Sequence, residues 1–227
     1  MAERGRAQRW AHVVERRLLR EPAIIYRANS SQAGVALTFD DGPSPWTAGI
    51  ATALEAHGCR GTFFLLGQAV EAQAETVTAL AAAGHELGSH LWSHTDPLKQ
   101  RRAILRQEID RTADAIQQVT GTRPVLVRPP YCGAPQRLAR AARRGRADLV
   151  VIRSVDPGDW RAESSEEIVD RVLSRIGPGD IVCMHDGVAP GNRGTSDRRA
   201  TAAAVSHLVP ALLERGLRPM TVSELVS

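Results

Sequence analysis

The chain contains the stretch Val35-Ala36-Leu37-Thr38-Phe39-Asp40-Asp41-Gly42-Pro43-Ser44, in which an apolar, β-branched segment ends at two adjacent carboxylates. Gly42-Pro43 stops the segment at once, so a buried strand is predicted to meet a tight turn here. Neighbouring like charges at the mouth of a core strand are costly unless a cation or a proton resolves them. A metal at one carboxylate and proton chemistry at the other would do so. A turn in which Asp41 caps the following helix is the other explanation.

Strand and helix patterns alternate outward from this stretch. Seven apolar strand candidates lie at 35–39, 61–66, 85–88, 124–127, 149–153, 180–184 and 218–222. Helical stretches lie between them at about 45–57, 70–83, 97–119, 135–145, 164–176 and 198–215. Repeated βα units predict a parallel sheet, and seven strands in one domain predict a closed or nearly closed α/β barrel. Polar side chains follow the carboxyl ends of these strands, the rim where such barrels build active sites.

Two histidines downstream support a metal site. His90 and His94 are four residues apart, so both imidazoles fall on one face if that segment is helical. With one aspartate they give the three-ligand, open arrangement of a hydrolytic zinc centre. Taken singly, each is as well explained by an ordinary surface or core histidine, but as a pair the ligand interpretation leads. His85 and Glu86, on the strand before them, are interpreted as structural.

Five short motifs follow one another in order. They are Thr38-Phe39-Asp40-Asp41-Gly42-Pro43-Ser44, His90-Leu91-Trp92-Ser93-His94, Arg128-Pro129-Pro130-Tyr131, Asp156-Pro157-Gly158-Asp159-Trp160 and Ile181-Val182-Cys183-Met184-His185-Asp186. Each would occur by chance fairly often, but five in order at compatible spacings is a specific signal. From about residue 24 to residue 226 the chain resembles the polysaccharide deacetylase family, the NodB-homology or family 4 carbohydrate esterases. The resemblance implies a distorted seven-stranded (β/α) barrel.

The resemblance also implies a metal-dependent hydrolase that removes an acetyl group from an N-acetylated carbohydrate. Asp41, His90 and His94 match the metal triad, for one divalent ion, with zinc favoured and cobalt, nickel or manganese as alternatives. The metal polarises the carbonyl and activates water. Asp40 matches the base that takes the water's proton, and Arg128 the residue that holds this base. O-acetyl ester hydrolysis, deacylation of a non-polymeric metabolite and a non-catalytic carbohydrate-binding protein are the alternatives.

The remaining motif residues match a leaving-group acid and a substrate pocket. His185 matches the acid that protonates the departing amine, Asp159 its carboxylate partner, and the Tyr131 backbone N–H an oxyanion donor. Trp160, Cys183 and Pro130 are assigned to the pocket. The chain departs from the family at Cys132, where a glycine is usual, and at Cys183, where a leucine is usual. Both side chains are small and mildly apolar, so we expect a pocket of changed shape.

Composition limits the other classes of function. The 227 residues, 43% of them hydrophobic, suffice for one domain, assigned to residues 23–227. The net charge of +4 comes from dispersed arginines, and with only 4% aromatic residues nucleic-acid binding is disfavoured. Three cysteines without paired spacing suit a reducing compartment. We expect a monomer.

Residues 1–22 are predicted to form a basic helical extension. The first twenty residues carry six arginines against only Glu3 and Glu15, with a partial apolar stripe, so the segment suits either a peripheral contact with an anionic membrane or a solvated helix packed on the domain. It lacks the uninterrupted apolar core of a signal peptide. Cytoplasmic localisation is therefore expected, with cell-surface or secreted placement by an unrecognised route as the alternative.

Overall fold

The computed structural model describes residues 22–29, 33–144, 146–191 and 197–227. Residues 1–21 of the predicted basic extension lie outside the described residues. Eight strands form the sheet: β1 (Ala23–Ile25), β2 (Gly34–Asp40), β3 (Thr62–Leu65), β4 (Glu86–Ser89), β5 (Leu126–Val127), β6 (Leu149–Val151), β7 (Ile181–His185) and β8 (Arg218–Met220). All seven predicted strands are present, and the short β1 is an addition that the sequence pattern did not indicate.

Eight α-helices alternate with the strands in the described chain. They are α1 (Thr47–Glu55), α2 (Gly67–Val70), α3 (Ala74–Ala82), α4 (Arg102–Thr120), α5 (Pro135–Ala141), α6 (Ser165–Leu173), α7 (Arg199–Glu214) and α8 (Val222–Leu225). Three single 3₁₀ turns lie at Glu71–Gln73, Pro130–Cys132 and Asp159–Arg161. The predicted helix over 97–119 begins only at 102, because Leu98 lies in an exposed turn rather than on the apolar face. None of the described helices combines the length and apolarity needed to cross a bilayer.

The sheet is parallel throughout and curls into a distorted barrel. Its strand order is β1-β6-β5-β4-β3-β2-β7, and β8 also pairs with the first half of β2. The strands at the two ends of this order are β1 and β7, and just after β6 the residue Val155 forms an isolated bridge with Val182 of β7. The predicted parallel (β/α) architecture is therefore confirmed, as a curled sheet that no full ladder closes within the described residues.

Strand β2 shows how the barrel positions polar groups. All seven of its residues are buried, because β3, β7 and β8 flank it and helices cover its outer face. Leu37 and Phe39 pack in the apolar cluster shared with the helices, whereas Ala36 belongs to a separate inner cluster. The two-residue period of a strand then puts Thr38 and Asp40 on the same side as Ala36. The carboxylate of Asp40 thus lies at the inner end of β2.

Candidate active site

The motif residues meet in one open cavity of about 540 Å³ at the carboxyl ends of the strands. Its lining includes Asp40, Asp41, His90, His94, Tyr131, Cys132, Arg153, Asp156, Trp160, Cys183, His185, Ala189, Pro190, Gly191 and Arg198. Residues far apart in sequence converge because every parallel strand ends at the same edge of the barrel. In the loop after β7, residues 189–191 contribute to this lining, while 192–196 lie outside the described residues.

Asp41, His90 and His94 form a buried three-residue cluster. The Nε2 atoms of His90 and His94 lie 3.5 and 3.3 Å from Asp41 Oδ1. His90 Nδ1 lies 3.0 Å from the Arg128 backbone carbonyl, which directs the other ring nitrogen toward the carboxylate. Burial, reinforced by the neighbouring His90, lowers the pKa of His94 to about 3, so its ring is neutral at neutral pH. A neutral imidazole is the form that binds a metal.

The cluster fits a divalent cation. Asp41 Oδ1 is buried and has no hydrogen-bond partner in the described chain. A buried unpaired carboxylate oxygen is costly, and a cation coordinated jointly with the two rings would satisfy it. One carboxylate and two imidazoles that leave a position open are the donor set of a hydrolytic zinc site. Asp41 does not cap the next helix, since no side chain caps the N-terminus of α1.

The helix that would place His90 and His94 on one face is absent from the described residues. Residues 90–101 form loop and turn, with Leu91 at φ 67° and His94 at φ 57°. These left-handed residues turn the chain so that the two ring centroids lie 5.1 Å apart. The two side chains do come together, but by loop geometry instead of a helical face. Asp41 also has a positive φ of 75°, a conformation that costs a non-glycine residue of order 1 kcal/mol.

Asp40 is held by a fully buried arginine. Arg128 Nη1 donates to Asp40 Oδ1 at 2.8 Å and to the Thr38 hydroxyl at 2.6 Å. Its remaining nitrogens donate to backbone carbonyls of β6 and the residue after it, and the guanidinium lies 4.2 Å from the Phe64 ring centroid. Burial alone would raise the pKa of Asp40, but the charge and hydrogen bond of Arg128, with the charges of His90 and His185, together outweigh it and lower the pKa to about 2. Asp40 is therefore ionised and fixed in orientation.

His185 lies beside this base, at the paired position of the neighbouring strand β7, and is supported by Asp159. Asp159 Oδ1 is 2.8 Å from His185 Nδ1, and Asp159 Oδ2 accepts hydrogen bonds from the His185 backbone N–H and the Thr201 hydroxyl. Burial opposes the charged imidazolium, yet the charge of Asp159 and its hydrogen bond prevail and raise the pKa of His185 to about 9. With Nδ1 engaged, Nε2 is the nitrogen available to a substrate.

The turn Pro130–Cys132 supplies another wall of the cavity. Tyr131 and Cys132 have φ of 60° and 50°, and the Tyr131 ring packs edge-on against His94 at 4.8 Å. Pro130, predicted as a pocket residue, is buried beneath the turn and is not among the residues that line the cavity. The left-handed residues after it redirect the chain, so Cys132 lines the cavity instead. Trp160, also assigned to the pocket, is among the residues that line the cavity.

Both unusual cysteines lie at the inner end of this cavity. Cys183 Sγ donates to Asp40 Oδ2 at 3.3 Å. The Cys132 and Cys183 side chains both line the cavity. The influence of the Cys183 thiol, together with the positive charge of Arg128, lowers the pKa of the Cys132 thiol. The influence of Cys132 and burial raise the pKa of Cys183. Neither cysteine is in a disulfide.

Three lining or supporting residues were missed or left open by the sequence. Arg198 is almost fully buried and its Nε donates to the Gly187 carbonyl at 2.8 Å, and only its position at the start of a predicted helix hinted at it. Asp156 pairs with Arg153 at 2.9 Å and accepts a hydrogen bond from the Gly158 backbone N–H. Asp186 is buried and accepts from the Thr47 hydroxyl, joining β7 to α1. Burial raises the pKa of Asp186 to about 7.

Sequence comparison agrees with the fold and the site. The sequence model of the family described as polysaccharide deacetylase matches residues 27–149. A chitooligosaccharide deacetylase of Bradyrhizobium sp. (strain ANU 289) is 38% identical over 206 residues, covering 86% of this chain and 93% of that protein. The chain belongs to the polysaccharide deacetylase family.

Further relatives of this deacetylase act on peptidoglycan. The peptidoglycan-N-acetylmuramic acid deacetylase PdaC of Bacillus subtilis (strain 168) is 35% identical over 198 residues, which are 86% of this chain and 39% of that protein. The chain therefore spans well under half of that relative's length. The crystal structure of the Bc1960 peptidoglycan N-acetylglucosamine deacetylase in complex with a hydroxamate, 4-naphthalen-1-yl-N-oxidanyl-benzamide, superposes with a TM-score of 0.81 at 30% identity, covering 90% of this chain and 92% of that one.

Proposed function

We propose that the protein is a metal-dependent hydrolase that removes an acetyl group from an N-acetylated sugar, in a polysaccharide, an oligosaccharide or a small glycoside. One observation carries the proposal: a fixed carboxylate, a three-residue metal cluster and a carboxylate-supported histidine share a single open cavity. Asp40 and His185 each offer an atom within 4.8 Å of the other. A base and an acid at this separation can serve one tetrahedral carbon.

The metal cluster would hold the Lewis acid of the reaction. A divalent cation held by Asp41, His90 and His94 would polarise the acetyl carbonyl and make a water more acidic, and the donor set favours zinc over cobalt, nickel or manganese. The Tyr131 ring packs against His94 in the cavity, and the backbone N–H of Tyr131 is the proposed oxyanion donor. Donors fixed before the reaction need no reorganisation as charge develops on the carbonyl oxygen.

The two proton transfers are divided between the neighbouring ends of β2 and β7. Asp40, ionised and locked by Arg128 through Oδ1, accepts the proton of the attacking water. His185, protonated because Asp159 supports its positive charge, donates from Nε2 to the nitrogen of the departing sugar. An amine leaves poorly as an anion, so this donation matters most for an amide. Trp160, on the same side as His185, would border the acetyl methyl group.

Acetate release tests the proposal. The zinc-loaded protein and Asp40→Asn, purified in parallel, would be assayed on chito-oligosaccharides, peptidoglycan fragments, small N-acetylated glycosides and acetyl-xylan. We expect release from at least one N-acetylated sugar by the parent and almost none by the variant. Release from acetyl-xylan alone would identify an O-acetyl esterase. Sugar binding without any release would identify a carbohydrate-binding protein, and either result overturns the proposal. Monomeric state, cytoplasmic localisation and a membrane contact of the N-terminus remain predictions.

A further inference from the structure

We propose that Asp40, Cys183 and His185 form a second metal site in the active cavity, which binds zinc in excess of the catalytic ion and thereby stops hydrolysis. The inhibition rests on the proposed function, but the binding does not. One carboxylate oxygen, one sulfur and one imidazole nitrogen of these residues lie within 4.8 Å of one another. The second site shares no residue with the metal cluster already described.

The register of two neighbouring strands brings these side chains together. His185 of β7 pairs with Asp40 of β2, and Cys183 pairs with Thr38, two residues earlier on each strand. Side chains two residues apart on a strand point to the same face, so Cys183 and His185 line the cavity beside Asp40. Cys183 Sγ lies 3.3 Å from Asp40 Oδ2. The three groups are therefore positioned by the sheet itself.

The contact between sulfur and oxygen is close to the spacing that a shared zinc ion requires. Bonds of about 2.3 Å to sulfur and about 2.1 Å to oxygen, at a tetrahedral angle, put the two atoms about 3.6 Å apart. The 3.3 Å between Cys183 Sγ and Asp40 Oδ2 needs only a small adjustment. Thiolate and imidazole ligands favour zinc over magnesium or calcium, which prefer oxygen ligands alone.

The surroundings of His185 are those of a metal-binding histidine. Asp159 Oδ1 lies 2.8 Å from His185 Nδ1, which leaves Nε2 for a ligand. A carboxylate on the far ring nitrogen is a common partner of a metal-bound imidazole, because it fixes the ring and raises its basicity. Cys183 completes the set of three ligands. Leucine, which is usual at this position in the family, offers no ligand atom, so the second site depends on this cysteine.

Zinc should fill the metal cluster before it fills the second site. The guanidinium of Arg128, 2.8 Å from Asp40 Oδ1, repels a cation beside that carboxylate. The first ion repels it too, because Asp40 Oδ2 lies only 3.9 Å from His90 Nε2, a ligand of that ion. A thiol must also give up its hydrogen to the solvent before it binds a metal. The second site is therefore occupied only when zinc is in excess.

Occupation of the second site would remove both proton-transfer groups at once. Arg128 already engages Asp40 Oδ1, so zinc on Oδ2 leaves the base no free oxygen for the proton of the attacking water. Zinc on His185 Nε2 occupies the position from which the proton is donated to the departing nitrogen. Acetate release should therefore rise with the first equivalent of zinc and fall with further zinc.

Cobalt(II), a common substitute for zinc, tests the binding without any measurement of activity. A cobalt–thiolate bond gives a near-ultraviolet charge-transfer absorption that carboxylate and imidazole ligands do not give. The metal-free parent, Cys183→Ser, Cys183→Leu and Cys132→Ser are titrated with cobalt. Cys132 is the matched control, since it lines the same cavity but lies outside the cluster of ligand atoms.

We expect the parent and Cys132→Ser to bind a first equivalent of cobalt without this absorption and to develop it with the second equivalent. Both Cys183 variants should bind the first equivalent, which shows that the metal cluster is intact, and should not develop the absorption. Its absence from the parent overturns the proposal. Its persistence in both Cys183 variants, or its loss from Cys132→Ser alone, also overturns it, because the thiolate would then belong to another residue.

Acetate release at increasing zinc concentration measures the inhibition, with each protein compared with its own maximum. The parent and Cys132→Ser should lose activity in excess zinc, recover it with a weak chelator, and keep it in equal magnesium. Cys183→Ser should need at least about tenfold more zinc for half-inhibition, since loss of even an outer partner of a metal ligand costs about 10–100-fold in affinity.

Inhibition that is equal in the parent and in the Cys183 variants would overturn the second site as its cause. Cobalt–thiolate absorption without any inhibition by excess zinc would overturn the inhibitory role. A parent that releases no acetate from any sugar at any zinc concentration contradicts the proposed function, while the cobalt titration still decides whether the second site exists.

Discussion

Single residues at the end of β2 divide the work of the site. Asp40 and Asp41 are neighbours in sequence, yet the strand conformation of the first and the φ of 75° at the second send their carboxylates to different partners. Asp40 faces the guanidinium of Arg128, whereas Asp41 faces the two histidines. The Asp40 carboxylate is therefore paired with the guanidinium of Arg128, whereas the Asp41 carboxylate is available to a bound metal cation.

This division predicts different outcomes for two similar substitutions. Asp40→Asn keeps the shape of the side chain but cannot accept a proton, so kcat should fall on the order of 10²-fold or more while zinc is retained. Asp41→Asn removes the negative ligand and should lose zinc together with activity. Metal analysis beside steady-state kinetics measures both effects. Equal zinc loss in the two variants would contradict the assignment of base and ligand.

His185 predicts a pH dependence and a substrate dependence. Its pKa of about 9 keeps the imidazolium through neutral pH, so amide hydrolysis should decline as pH rises through that value. Asp159→Asn removes the charge that offsets burial, so the folded-state pKa falls and the decline should begin at lower pH. His185→Ala should impair an amide severely and an activated acetyl ester only mildly, because the alcohol leaves without protonation. Equal losses on amide and ester would assign His185 another role.

At the scale of elements, two strand ends must touch for the site to form. A Cβ added to Gly187 would lie 2.0 Å from the backbone oxygen of Asp41, so the loop after β7 packs directly on the metal turn. Arg198, at the start of α7, fixes the same glycine through its carbonyl. The loop after β7 therefore packs so closely on the end of β2 that it leaves no room for one additional methyl group at Gly187. The residue before α7 holds this loop in place.

Gly187→Ala should therefore weaken the metal site and the fold together. We expect a loss of about 1–3 kcal/mol in the free energy of unfolding, as for other overpacking substitutions, and lower zinc affinity. Gly49→Ala is the matched control, because Gly49 lies in α1 with open space around it and alanine favours a helix by up to about 1 kcal/mol. Denaturant unfolding and zinc titration give both quantities. If Gly187→Ala changes the free energy of unfolding and the zinc affinity no more than Gly49→Ala does, the close packing of Gly187 on Asp41 is not needed for the metal site.

At the scale of the whole molecule, metal binding should contribute to stability. The metal cluster joins the end of β2 to the loop after β4, and without a cation it leaves a buried carboxylate oxygen unpaired. A ligand that binds only the folded state adds about 4 kcal/mol when its concentration is a thousand times Kd. A chelator should thus lower the Tm of the parent clearly. His94→Ala, with one ligand fewer, should show a much smaller chelator effect, and a Tm of the parent unchanged by metal removal would contradict the site.

The sequence by itself determined the fold class and the identity of the residues at the rim. Strand and helix periodicity set the βα order, and parallel strands must end at one edge, so polar residues after each strand had to converge. The short β1 was not visible, because its three residues depend on pairing with β6 for their conformation. Local periodicity reports contacts within an element and carries little information on such a partner.

The tertiary structure decided how those residues are held. A helical face was the simplest way to bring His90 and His94 together, but left-handed loop residues do it instead, and loop dihedrals follow from packing that no four-residue spacing encodes. The same holds for Pro130, which a turn buries while it exposes Cys132 to the cavity. The presence of Cys132 and Cys183 in one cavity depends on contacts between distant parts of the chain. Long-range packing, set by the whole chain, fixed these positions.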